Sequence, residues 1–305
     1  MNNWHLTTFG ESHGTAIGGV IEGCPSGLKL DPQLIKDDLA RRATGKTSSE
    51  SQRRESDEVE FLSGLLDGVT LGTPIAFLVR NTDAHPEDYA ALKDTYRPSH
   101  ADYTYQAKYG IRDWRGGGRA SARTMLPYVV AGAIAKQLLA EQGIKIIAVV
   151  KSIGGETEPK QIEALLAECR SKGDSVGGIV HGSITGLPAG LGEPLDDKFQ
   201  ACLAKAMFTI PAVKGFEYGD GFALAAMKGS QANDPIIVNE DGSVKFLSNH
   251  SGGVQGGITN GEEVYFNVAF KPIPTIGRGD RHDVCALPRA TVIVEAMAAL
   301  TVIRF

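Results

Sequence analysis

Residues 126–143 read L-P-Y-V-V-A-G-A-I-A-K-Q-L-L-A-E-Q-G, an apolar, alanine-rich run with a proline at its start and a glycine at its end. Proline suits the first turn of a helix and glycine the position just past the last turn, so the run predicts a buried helix. Working outward, the β-branched residues of 144–153 predict a strand. Residues 159–173 then place Ile162, Leu165, Leu166 and Cys169 at i, i+3, i+4 and i+7, the pattern of an amphipathic helix with Cys169 in the core. A strand at 176–185, a helix at 196–208 with Phe199, Leu203, Ala206 and Met207 inward, a strand at 264–270 and an apolar helix at 290–303 follow. Toward the N-terminus, residues 6–9 read as a short strand and the run at 16–25 as a buried strand ending in a Gly-Cys-Pro turn. Asp31-Pro32 starts a helix that turns Ile35 and Leu39 to one side. Residues 58–81 read as short strands separated by glycine turns. Strands and helices mix without βαβ alternation, which predicts an α+β, layered fold, taken as one domain over residues 1–305.

Between these elements lies a stretch of a different kind, residues 96–123: Y-R-P-S-H-A-D-Y-T-Y-Q-A-K-Y-G-I-R-D-W-R-G-G-G-R-A-S-A-R. It holds six Lys/Arg against two Asp, about +4, in a chain whose net charge is −5. Its turn formers argue against a regular helix around His100. Gly116 to Gly118 let the backbone approach a ligand closely, and Arg119, Ser121 and Arg123 come directly after. Exposed amides and guanidinium groups are what phosphates and carboxylates need. Residues 41–54, with five positive charges and one negative, add about +4 more. Positive charge focused on an acidic body suits capture of a small, highly charged anion and argues against a nucleic-acid polymer.

Other features narrow the class. Glycine, at 37 of 305 residues, is well above the typical ~7%. The four cysteines, Cys24, Cys169, Cys202 and Cys285, are far apart with no C-x-x-C, so no zinc site or disulfide framework is expected. No run reaches the ~18 apolar residues of a membrane span, and residues 1–8 have no apolar signal-peptide core; a cytoplasmic protein is expected. His13 sits in a turn, G-E-S-H-G, where nothing apolar surrounds it, and is a functional candidate; His181, inside a strand, reads as structural. The glycine-rich loops at 210–234 and 248–261 match neither a dinucleotide fingerprint nor a phosphate-binding P-loop. They suggest one site assembled from distant segments.

G-E-S-H-G at 10–14, R-P-S-H-A-D-Y at 97–103, G-G-G-R-A-S-A-R at 116–123 and R-H-D-V-C at 281–285 with the following V-E-A-M resemble, in order, the signatures of the chorismate synthase family. That resemblance implies a three-layer β-α-β sandwich, a homotetramer, and elimination of phosphate from 5-enolpyruvylshikimate 3-phosphate to chorismate with reduced FMN and no net redox change. It implies His13, His100 and Asp283 as catalytic groups, with Ser12 and Ser121 as relays. FMN is expected on Arg119, Ala120 and Ser121, on Gln231 and Ala232, on Gly256, on Lys271, Pro272, Ile273, Pro274 and Thr275, and on Arg281. Ser12, Arg42, Arg97 and Arg123 are expected to meet substrate or NADP. The cysteine spacing, hydropathy and acidic balance argue against a metal, membrane or nucleic-acid partner. Three departures stand out: Thr124–Tyr128 replaces the family's usual sequence after S-A-R, Ser48 stands where an arginine is common, and only residues 277–280 join K-P-I-P-T-I to R-H-D. The last is either a compact variant or a lid missing from the sequence. A phosphate-binding homologue without turnover and an RNA-binding module are the rival readings.

Overall fold

The computed structural model describes residues 4–44, 57–82, 86–277 and 283–305. In chain order the elements are β1 (His5–Phe9), β2 (Ala16–Glu22), β3 (Ser26–Lys29), α1 (Pro32–Arg42), β4 (Val59–Phe61), β5 (Leu65–Leu66), β6 (Val69–Leu71) and β7 (Ile75–Arg80). There follow α2 (Asp102–Tyr109), α3 (Leu126–Glu141), β8 (Lys145–Ile153), α4 (Pro159–Ser171), β9 (Gly178–Thr185), α5 (Phe199–Thr209) and β10 (Val213–Tyr218). The last third holds the single turn α6 (Gly229–Ala232), the short strands β11 (Ile236–Val238), β12 (Val244–Phe246), β13 (Val254–Gln255) and β14 (Ile258–Thr259), then β15 (Val264–Phe270) and α7 (Leu287–Val302).

Two antiparallel sheets, β1-β2-β7-β4 and β10-β15-β9-β8, enclose a helical layer. Helix α3 touches β1 and β2 on one side and β8 on the other, while α7 packs on α3, β8 and β9. The fold is therefore the β-α-β sandwich expected. Alternation in the strands explains the sheet faces: β7 buries Ile75, Phe77 and Val79, and β15 buries Val264, Phe266 and Val268. A helix covered on every side should be apolar all round; α3 buries 12 of its 16 residues and α7 13 of 16.

Three local expectations need correcting. The stretch 96–123 does contain a helix, α2, which starts two residues after His100 because the turn formers are confined to residues 97–101 and Gly110 closes the helix in the left-handed conformation at φ 72°. Helix α4 lies at the margin and buries no residue fully, so Cys169 is half-buried and not in the core. Helix α5 starts at Phe199, three residues late, after the left-handed Asp196.

Inside the helical layer, two features fix how the helices meet. A Cβ on Gly132 would lie 2.4 Å from the Cβ and 2.6 Å from the Cα of Ala296, so α3 and α7 approach to backbone distance there. One residue earlier on α7, the buried Glu295 takes both guanidinium nitrogens of Arg41 at 2.6 and 2.7 Å, Lys136 at 3.2 Å and the amide of Ala148 at 3.1 Å. Burial pushes the Glu295 carboxyl up, but the Arg41 hydrogen bonds and the Lys136 charge outweigh it and hold it below the usual carboxylate range. One carboxylate thus joins α1, α3, α7 and β8.

Gly132→Ala is expected to destabilise the protein by about 1–3 kcal/mol through overpacking, against the ~1 kcal/mol gain that alanine brings to a helix interior. Urea unfolding reads the sign; a more stable variant would contradict the close crossing.

Candidate active site

A cavity of about 1130 Å³ opens at one end of the helical layer, bordered by the first residues of α3 and α7 and by Arg42 at the last turn of α1. Helix N-termini carry a positive dipole end, and residues of the first turns of α3 and α7 border this space. Loops from both halves of the chain complete the wall: residues 97–102, 116–125, 209–214, 271–275 and 283–286.

His100 stands on the bend before α2. Its Nδ1 faces the Pro98 carbonyl at 3.0 Å and its Nε2 the Thr275 hydroxyl at 3.1 Å. Burial, then the charges of Arg97 and Lys271, lowers its pKa, so the ring is neutral at pH 7. A neutral ring donating from Nδ1 to Pro98 leaves Nε2 to accept from Thr275. Lys271 Nζ donates to the Ser99 carbonyl at 2.9 Å, so the K-P-I-P-T loop is latched to the His100 loop at two points. Below it, Arg97 grips Asp102 through Nε and Nη2 at 2.8 and 2.7 Å and through its amide at 3.0 Å. Burial raises the Asp102 carboxyl, but these bonds, with Arg112 3.9 Å away, bring it down to about 2.

The glycine triplet has a sharper role than a flexible turn. Gly116, Gly117 and Gly118 all have φ between 53° and 86°, and a Cβ on Gly116 would fall 2.0 Å from the His13 ring. Only glycine admits the imidazole. Ser12 is fully buried, its Oγ 3.0 Å from His13 Nδ1 and 3.4 Å from the Gly116 carbonyl. Tyr89 meets His13 edge-on, ring centroids 4.9 Å apart. His13 and Ser12 do not border the cavity; Gly116 and Tyr89, which touch His13, do. Arg119 donates to the Gly10 carbonyl and the Thr8 hydroxyl at 3.0 and 2.7 Å, tying the triplet to the end of β1.

The positive charge expected at the site is present but partly matched. Among the described residues, eight Lys/Arg and five Asp/Glu border the cavity. Arg42 and Arg123 share the buried Asp57, the second at 3.0 Å, and Arg289 pairs with Asp283. Even so, Arg42 Nε and Arg289 Nε are buried without a hydrogen-bond partner among the described residues. Donors of that kind fit phosphate or carboxylate oxygens, and the volume exceeds the ~300–1,000 Å³ of an ordinary ligand pocket, leaving room for a phosphorylated cofactor beside a substrate.

Of the residues singled out in the sequence, His100, Arg42, Arg97, Arg123, the 119–121 run, Lys271, Ile273, Pro274, Thr275 and Asp283 share this cavity, and Pro272 does not border it. Gln231, Ala232 and Gly256 do not border it, and Arg281 lies outside the described residues. Asp57, Asn81, Tyr89 and Arg289 were not singled out. Only Asp57, an acid beside a basic run, carried even a faint signal of its pairing.

Together, a β-α-β sandwich and a cationic cavity built from both ends of the chain define an anion-binding site for small molecules. A family model described as chorismate synthase matches residues 4–280. A chorismate synthase of Porphyromonas gingivalis is 49% identical over 339 residues, covering 98% of this chain and 92% of that protein. One from Synechocystis is 47% identical, covering 97% and 93%. A crystal structure of chorismate synthase superposes with a TM-score of 0.81 at 33% identity, covering 98% of this chain and 90% of the other. The chain belongs to the chorismate synthase family. The family implies a flavin, and the unpartnered donors and cavity volume fit one.

Asp57→Asn keeps a side chain that tolerates the left-handed backbone at φ 47° but removes the charge between two buried guanidinium groups. Breaking such a pair costs about 3–5 kcal/mol. A lower Tm that inorganic phosphate partly restores is the expected result; a Tm equal to the parent's would contradict the shared-carboxylate arrangement.

Proposed function

We propose that this chain converts 5-enolpyruvylshikimate 3-phosphate to chorismate and inorganic phosphate by 1,4-anti elimination, using reduced FMN with no net redox change. The observation that carries the reading is the meeting of His100, Asp283 and four arginines, Arg42, Arg97, Arg123 and Arg289, in a single cavity. Substrate and cofactor together bring roughly six negative charges, which is what guanidinium pairs with spare donors can meet. Reduced flavin, when bound, supplies the electron chemistry of the elimination.

The chain's own residues supply position and protons. Arg42, Arg97 and Arg123 orient the anionic substrate. His13 is the proposed acid for the departing phosphate oxygen, with Ser12 against its Nδ1 and Tyr89 and Gly116 between it and the cavity. Neutral His100 has a lone pair on Nε2, shared with the Thr275 hydroxyl, to take up or return a proton at the flavin. Asp283, held by Arg289, is the proposed proton acceptor on the C-terminal side. Arg119, Ala120 and Ser121 with the Lys271–Thr275 loop are the proposed FMN contacts.

The finer points of assembly and setting belong to the same proposal. A homotetramer is supported by the ribbon of β11 and β12, where Ile236, Ile237, Val238 and Val244 are exposed, because an isolated two-stranded ribbon is marginal in water. No helix of the described residues is long and apolar enough to cross a membrane, and the acidic balance disfavours RNA. A cytoplasmic, single-domain enzyme is the reading adopted, and the continuous core supports the latter.

Under anaerobic conditions, protein with reduced FMN and substrate is expected to release phosphate and develop chorismate absorbance. His13→Ala and His100→Ala should each cut turnover by ~10-fold or more with ligand binding retained. Two variants at the parent rate would remove the assigned roles, and a wild-type protein that binds both ligands without releasing phosphate would favour the non-catalytic homologue.

A further inference from the structure

We infer that Asn81 is a positioning residue for His13 and Arg123, a role that rests on the proposed function of those two side chains. The register of the first sheet sets it there. Strand β7 pairs Arg80 with Ala16 of β2, and the next residue continues the ladder, the Asn81 amide donating to the Thr15 carbonyl at 3.1 Å. That fixes the Asn81 backbone beside the G-E-S-H-G turn.

Its side chain then does two things at once. Nδ2 donates to the Glu11 carbonyl at 3.0 Å and to the Gly14 carbonyl at 2.8 Å, the two ends of the turn that carries His13. Oδ1 accepts from Arg123 Nε at 2.6 Å. Two carbonyl acceptors on one side and a guanidinium donor on the other leave one way round for the amide. The Gly14 amide already bonds Glu11 at 3.1 Å to close the turn, and Ser12 and Arg119 tie it to the glycine triplet, so Asn81 adds the tether from the β7 side. Arg123 is fixed independently by Asp57 at 3.0 Å. Asn81 therefore links a substrate-orienting arginine to the turn of the phosphate acid without touching the cavity, which it does not border.

The substitutions separate the two links. Asn81→Asp keeps an oxygen for Arg123 but loses both donors and sets a carboxylate against two carbonyl oxygens, so the His13 turn is released while Arg123 stays held. Asn81→Ala releases both. Asn81→Ser is the milder change should either fail to reach parent-like expression and Tm.

In the FMN-loaded enzyme, Asn81→Asp is expected to lower kcat by ~10-fold or more with KM within ~2-fold, whereas Asn81→Ala also raises KM. In a His13→Ala background the added loss from Asn81→Asp should shrink to under ~2-fold, as for residues that act as a unit. Hydrogen exchange on the protein without ligands gives a readout free of turnover: residues 10–15 should exchange faster in Asn81→Asp, and residues 119–125 as well in Asn81→Ala. Parent kcat in Asn81→Asp, an undiminished loss in the His13→Ala background, or unchanged exchange at 10–15 would each overturn the inference. A wild-type protein that releases no phosphate would instead overturn the functional reading. Exchange would then still decide whether Asn81 orders the turn.

Discussion

A guanidinium group inside a protein stays where an anion holds it, and in this molecule the holding anions are built in. Asp57 lies between Arg42 and Arg123, Asp102 beneath Arg97, and Asp283 against Arg289. Each carboxylate offsets much of the cost of burying its arginines and fixes their direction, while Arg42 Nε has no hydrogen-bond partner among the described residues. An anionic ligand therefore meets groups already aimed, with little side-chain entropy left to lose.

That arrangement depends on the layers. The end of α1 delivers Arg42, the turns before α3 deliver Arg119 and Arg123, and the start of α7 delivers Arg289, so the helical layer must hold its geometry to close tolerance. The backbone-distance crossing at Gly132 and Ala296 and the Glu295 junction of Arg41, Lys136 and Ala148 provide it. On the opposite wall, two bonds from the 271–275 loop to Ser99 and His100 join the last strand of the second sheet to the basic stretch. Residues far apart in the chain meet because both sheets end at the same rim.

Much of this was legible in the sequence wherever one physical signal dominated. Unbroken apolar runs marked α3 and α7, strand segments separated by glycine turns marked β7, and the Asp31-Pro32 cap marked α1, whose Asp31 carboxylate accepts from the Gln33 amide. Local charge marked the basic stretch and glycine spacing its close backbone approach. The pairing of those charges was hidden, because Asp57 and Asn81 reach their arginines across 66 and 42 residues and no periodicity reports such contacts. Helix α2 was masked by turn formers that stop just before it, and α4 by a helical pattern that says a face is covered without saying how deeply. Gln231, Ala232 and Gly256 came from resemblance, and in the single chain they lie away from the cavity.

The central claim is that the pre-paired arginines and the loops at 116–121 and 271–275 form one chamber that takes cofactor and substrate together. A crystal structure of the protein with oxidised FMN and 5-enolpyruvylshikimate 3-phosphate tests it most directly. Both ligands are predicted inside the cavity, with anionic oxygens on Arg42, Arg97 or Arg123 and the flavin against Arg119 and the Lys271–Thr275 loop. Density for either ligand elsewhere on the molecule, with the arginines bonded only to their own aspartates, would contradict the account.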